Sequence, residues 1–105
     1  MMAEFGLKEY LAQEGRLIVQ TQAFEFDSFP AMGECLLTLL SATAVEKQQD
    51  ADLHSWLIDF EGCRLMLRAE HYSECVWLEA LGEGQSKEEL DFIAALLARG
   101  VPCSR

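Results

Sequence analysis

Residues 55–81 read SWLIDFEGCRLMLRAEHYSECVWLEAL, three runs of strand-forming residues divided by two short polar breaks. In the first run Trp56, Ile58 and Phe60 alternate with Leu57, Asp59 and Glu61. In the second, Cys63, Leu65, Leu67 and Ala69 alternate with Arg64, Met66, Arg68 and Glu70, and in the third Val76, Leu78 and Ala80 alternate with Cys75, Trp77 and Glu79. Successive side chains on a strand point to opposite faces, so the stretch predicts an antiparallel meander with one apolar face and one mixed face. Glu61-Gly62 supplies a two-residue hairpin turn, pairing Phe60 with Cys63, Asp59 with Arg64, Ile58 with Leu65 and Leu57 with Met66. The opposite charges of Asp59 and Arg64 support this register, since such a cross-strand pair adds up to about 1 kcal/mol. A second turn centred on Tyr72-Ser73 sets Ala69 against Val76 and Arg68 against Trp77.

Upstream of the meander, Leu17, Ile18, Val19, Thr21, Phe24 and Phe26 predict a first strand from Arg16 to about Phe26. Asp27, Ser28 and Pro30 then suit a helix start. Phe29, Met32, Leu36, Leu39, Leu40 and Thr43 or Ala44 recur at three-and-four spacing, which predicts a helix to about Lys47 and a polar connection over 48–52. Gly33 within that helix costs about 1 kcal/mol relative to Ala and is read as a point of close packing against the sheet. Residues 3–14 have helix-favouring composition and stop at Gly15. Downstream, Ser86-Lys87-Glu88-Glu89 reads as a capping box and Leu90, Ile93, Ala94 and Leu97 as a buried stripe. Arg99-Gly100-Val101-Pro102 reads as a helix stop.

The order strand-helix-strand-strand-strand-helix, with a short helix in front, predicts a single α+β domain over residues 1–105. Its form is a two-layer sandwich of about four mainly antiparallel strands with helices packed on one face. The pattern leaves the position of the first strand in the sheet open.

Eighteen acidic residues against eight basic ones give a net charge of -10, spread from Glu4 to Asp91. Nucleic acids and anionic membranes carry the same sign and are bound through Lys and Arg clusters, which this chain lacks, so neither is expected as a partner. The longest weakly polar run, 35–45, is well short of the roughly 18 residues of a membrane helix. With no basic leader or apolar signal at the start of the sequence, a cytoplasmic protein is expected. The cysteines at 35, 63, 75 and 103 form no Cys-x-x-Cys pair and are expected to be reduced thiols acting as small hydrophobes.

His71 lies in Glu70-His71-Tyr72-Ser73-Glu74-Cys75, where a histidine, carboxylates and a thiol crowd together. A transition-metal site needs three or four such ligands converging. Here Glu70 and Cys75 share a face, His71 falls in the turn, and His54 is read as lying at the opposite end of the neighbouring strand. The cluster therefore reads as a polar turn, with no metal and no cofactor. No Ser or Cys stands in the context of an activated nucleophile, and no catalytic residue is assigned. Gly82-x-Gly84 before a helix start has the form of a phosphate cradle, but Glu83, Glu88 and Glu89 would repel the anion, so it reads as a connection.

The outer face of the meander is the candidate interface: Leu57 pairs with Met66, and Trp77 lies beside Arg68, within reach of a ring-cation contact. A partner or second subunit would cover such a face, unless the amino-terminal segment with Phe5, Tyr10 and Leu11 folds over it. The function expected is a non-enzymatic cytoplasmic protein-binding or adaptor module using Leu57, Met66, Arg68 and Trp77, as a homodimer or with a protein partner. The alternative is a small-molecule-binding or catalytic domain with a pocket between helices and sheet, in which Gly33 and a cysteine take part. In length and layout the chain resembles the short uncharacterised gammaproteobacterial proteins grouped as domains of unknown function, a resemblance that implies no activity and no site residue. In size, acidity and α+β character it is also similar to bacterial secretion chaperones and immunity proteins.

Overall fold

The computed structural model describes residues 3–25, 27–82 and 86–103. Its strands are β1 (Ala3–Leu11), β2 (Arg16–Gln20), β3 (Thr43–Asp50), β4 (Leu53–Phe60), β5 (Cys63–Glu70), β6 (Cys75–Ala80) and β7 (Val101–Cys103), and its helices are α1 (Phe29–Leu40) and α2 (Lys87–Ala98). The architecture is α+β, with one sheet in the order β3-β4-β5-β6-β2-β1-β7. Every neighbouring pair of strands is antiparallel. The strand number therefore exceeds the four expected. The first strand, β2, joins the sheet beside the third strand of the meander, with Leu17 against Leu78 and Val19 against Val76.

The meander has the register that its alternation demands. Phe60 faces Cys63, Ile58 faces Leu65, Leu57 faces Met66, Ala69 faces Val76 and Arg68 faces Trp77. The turn at Glu61-Gly62 has positive φ at both residues, 52° and 83°, the backbone that matches the right-handed twist of a two-residue hairpin. Asp59 secures it twice, accepting the Gly62 N–H at 2.9 Å and the Arg64 Nε–H at 3.3 Å.

Trp56, Ile58, Phe60, Leu65, Leu67, Ala69, Val76, Leu78, Leu17 and Val19 form the inner face, and all are buried in one core with both helices. From α2 come Leu90, Ile93, Ala94 and Leu97, the stripe expected from its spacing. From α1 come Phe29, Gly33, Leu36, Leu37 and Leu40. Gly33 is where α1 meets the sheet: a Cβ there would stand 2.8 Å from the ring carbons of Trp56 and 3.0 Å from Phe29 Cζ. The close-packing reading of that glycine holds, and its neighbours leave no room for a ligand beside it.

Two segments read as helix are largely strand, although Ala12–Glu14 at the end of the first form a single 3-10 turn. Residues 3–11 form β1, whose Phe5 is buried and whose pairing with β2 shifts between Leu7 and Glu9. The irregularity inserts a residue, so Phe5, Leu7 and Tyr10 all pack toward the core at spacings of two and three, which breaks the alternation that marks a strand. Tyr10 then donates its hydroxyl to Asp91 Oδ1 of α2. The second is residues 43–47, which with 48–50 of the expected connection form a strand: α1 ends at Leu40 because Ser41 takes a left-handed conformation (φ 57°), and Ala42 N–H caps Leu37 O at 2.8 Å. The chain turns into β3, an edge strand with its own shift between Ala44 and Glu46. After Ala44, which packs on the core, its inward positions are polar: Lys47 lies over the Trp56 ring, 4.3 Å from the centroid, and ion-pairs with Glu34, covering the core with its methylene stem.

Neither helix start has the cap expected. Ser28 Oγ bonds back to Glu25, accepting its N–H at 2.8 Å, and makes no cap bond. Ser86 has φ 65°, which turns its Oγ away from the first turn of α2 and sets it 2.9 Å from Cys63 Sγ. The stop after α2 is as read, with Gly100 at φ 75° donating to Leu97 O at 2.9 Å. Cys63 and Cys75 are free thiols, but Cys35 is disulfide-bonded, which overturns the expectation of four reduced cysteines.

Candidate functional site

The strand alternation that sends Trp56, Ile58, Leu65, Leu67, Val76 and Leu78 inward sends Leu53, Ser55, Leu57, Met66, Arg68, Glu70, Trp77 and Glu79 to the opposite face. Both helices lie on the inner side, so among the described residues neither covers this outer face, and Leu57, Met66, Arg68 and Trp77 are all partly exposed there. The amino-terminal segment does not fold across it either. It lies in the sheet as β1, with Phe5 and Tyr10 turned to the core.

Register brings Ser55, Arg68, Trp77 and Ile18 into one row across β4, β5, β6 and β2, and Glu46, Leu57, Met66, Glu79 and Arg16 into the next. Arg68 does not sit over the Trp77 ring as its sequence position suggested. Its Nε is 3.3 Å from Glu79 Oε1 and its Nη1 donates to Ser55 Oγ at 3.0 Å. The Trp77 indole Nε1–H donates to the same Glu79 Oε1 at 2.7 Å. Glu79 thus fixes both a cation and an aromatic ring on this face. Sequence reasoning missed it, although the pairing of Met66 with Glu79, one rung from Arg68, follows from the register already read.

Two hollows mark the outer face. One, of about 220 Å³, is lined by Glu46, Gln48, Ser55, Leu57 and Met66. The other, of about 390 Å³, is lined by Asp50, Ala51, Asp52, Leu53, Glu70 and Trp77. The ion pairs of this face, Arg64 with Asp59 and Arg68 with Glu79, lie toward its centre and the Glu61-Gly62 end. Among the described residues no ion pair involves Asp50, Asp52 or Glu70.

The histidines are arranged differently from their reading. His54 pairs with Ala69 and His71 N–H donates to Asp52 O at 2.9 Å, so the two lie at the same end of the hairpin, because antiparallel pairing brings the start of β4 to the end of β5. His54 is buried against Phe29, with ring centroids 4.9 Å apart. Glu70 and Cys75 pair as expected, and among the described residues no three His, Cys, Asp or Glu side chains are grouped to hold a metal ion. Of the Gly82-x-Gly84 segment, Glu83 and Gly84 lie outside the described residues. No helix among the described residues is long and apolar enough to cross a membrane.

No curated protein and no solved structure matches the chain. A family described as "Protein of unknown function (DUF3630)" matches residues 5–98, nearly the whole of the sheet and both helices. The chain belongs to that family.

Proposed function

We propose that this protein is a non-enzymatic binding module that engages a protein partner through the outer face of its sheet, at Leu57, Met66, Arg68 and Trp77. The observation that carries the reading is the one-sided architecture: both helices pack on the inner face, and the outer face keeps two half-buried apolar side chains and an indole uncovered among the described residues. Glu79 holds the indole and the guanidinium in fixed positions, which lowers the entropy lost when a partner docks on them.

A photoactivatable phenylalanine analogue at Met66, with the same analogue at the exposed Phe92 of α2 as control, tests the reading in living cells. Covalent adducts from position 66 and not from position 92 are expected. Equal labelling from both positions, or none from position 66, overturns it. Sizing of the wild type and of Trp77→Glu reports the occupant: a dimer dispersed by the substitution identifies a second copy of the chain.

The proposal places the protein in the cytoplasm, which suits the free thiols of Cys63 and Cys75 and requires the disulfide at Cys35 to be held reduced there. Alkylation in freshly lysed cells that finds Cys35 predominantly oxidised overturns that placement.

A further inference from the structure

Resting on that reading, we infer that the occupant of the outer face is an extended basic segment of a partner protein. It would set a lysine or arginine against Asp50, Asp52, Glu70 and Trp77 and an apolar side chain between Leu57 and Met66. The two hollows differ in chemistry. The larger joins three carboxylates to the ring of Trp77 and the side chain of Leu53, a combination that accepts the charged head and the methylene stem of a long cationic residue. The smaller is floored by Leu57 and Met66, with Glu46 at its edge.

Charge decides between occupants. The carboxylates of the larger hollow carry no ion pair among the described residues, whereas Asp59 and Glu79 on the same face are each matched by an arginine. A second copy would bring the same carboxylates and another net charge of -10, so like charges oppose that contact. A basic segment supplies what the hollow lacks. Leu53 and Leu57 lie four residues apart on β4, which spaces the two anchors by about 13 Å along the strand. A segment running with the strands would therefore place its basic and apolar residues four positions apart. Between them lies the row of Ser55 and Arg68, where Arg68 is already held by Glu79, so a cation in the middle of the segment is disfavoured.

The probe is a short synthetic peptide with lysine and leucine four positions apart on a serine background, compared with a peptide of the same composition in which they are adjacent. Binding is followed by amide and indole proton-nitrogen spectra, in which the Trp77 Nε1–H reports directly on the face. The spaced peptide is expected to shift the Trp77 indole and the amides of Leu53, Ser55 and Glu70. The double variant Asp52→Asn/Glu70→Gln should weaken it by about fivefold or more, while Glu61→Gln/Glu88→Gln, with the same change in net charge, should weaken it by less than about twofold. Equal weakening by both variants means attraction to net charge alone and overturns the inference, as do equal affinity for the two peptides, the absence of binding, and shifts confined to the helices. The spectra of the free variants show that each is folded. Adducts from position 66 in cells together with a failed peptide titration would retire the basic segment and leave the binding module standing.

Discussion

Gly33 of α1 lies against the ring of Trp56 so closely that a Cβ in its place would stand 2.8 Å from two ring carbons. Alanine is the better helix former by about 1 kcal/mol, but overpacking a core costs roughly 1–3 kcal/mol, and here the obstacle is a rigid indole with Phe29 beside it. Gly33→Ala is therefore expected to lower the melting temperature. A melt at or above the wild-type temperature would show that the helix can shift to admit a methyl.

Glu61 occupies the first position of a two-residue turn at φ 52°, a left-handed backbone that strains a long side chain and that Asn, whose short amide bonds the local backbone, tolerates better. The residue is exposed, so Glu61→Asn should raise stability by about 0.5–1 kcal/mol without moving the register. Denaturant unfolding at unchanged slope checks it, and a loss of stability would refute the turn assignment.

Tyr10 and Asp91 tie β1 to α2. Burial, and then the bond to Asp91, push the Tyr10 hydroxyl up to about 12, while that same bond, with Lys87 beside it, holds the Asp91 carboxyl below its usual range. A raised folded-state value for Tyr10 means stability fully present below about 10 and lost between about 10 and 12. A lowered value for Asp91 means stability present at neutral pH and lost as pH falls through the acid range. Tyr10→Phe should remove the alkaline loss attributable to this residue and return the Asp91 titration, followed by carboxyl carbon shifts, toward the ordinary value. An unmoved Asp91 titration would remove the bond from the account.

Glu79→Ala deletes the acceptor shared by Trp77 and Arg68. Both charged groups are about three-tenths exposed, so the loss of stability should stay below about 1 kcal/mol. The Trp77 indole proton should nonetheless shift clearly, since it loses a 2.7 Å bond. An unchanged indole resonance would mean that the ring is positioned by packing alone.

The meander was legible rung by rung because alternation, a Gly-containing turn and the Asp59–Arg64 pair all point to one register. The stripe of α2 was legible for the same reason, an unbroken three-and-four spacing that ends at Gly100. What misled was local irregularity. Pairing shifts in β1 and β3 break the two-residue period, and β3 covers the core with Lys47 in place of an apolar side chain. The left-handed residues Ser41 and Ser86 end one helix and begin the other with no glycine to announce them. On the outer face Leu57, Met66, Arg68 and Trp77 all lie where alternation put them, yet the partner of Arg68 was misread because the ring opposite was weighed and the carboxylate one rung away was not.

The pairing of Leu17 with Leu78 and of Val19 with Val76 also bears on how the chain reaches this form. The β1–β2 hairpin is synthesised before α1, and its inner neighbour β6 follows only after α1 and the rest of the meander have been made. Until then β2 is paired on one side only, by β1, and closing so long a loop to fill its other edge is entropically slow. Assembly of the sheet thus waits on a seam between strands made at different times, and that interval is when the nascent chain is most exposed to aggregation.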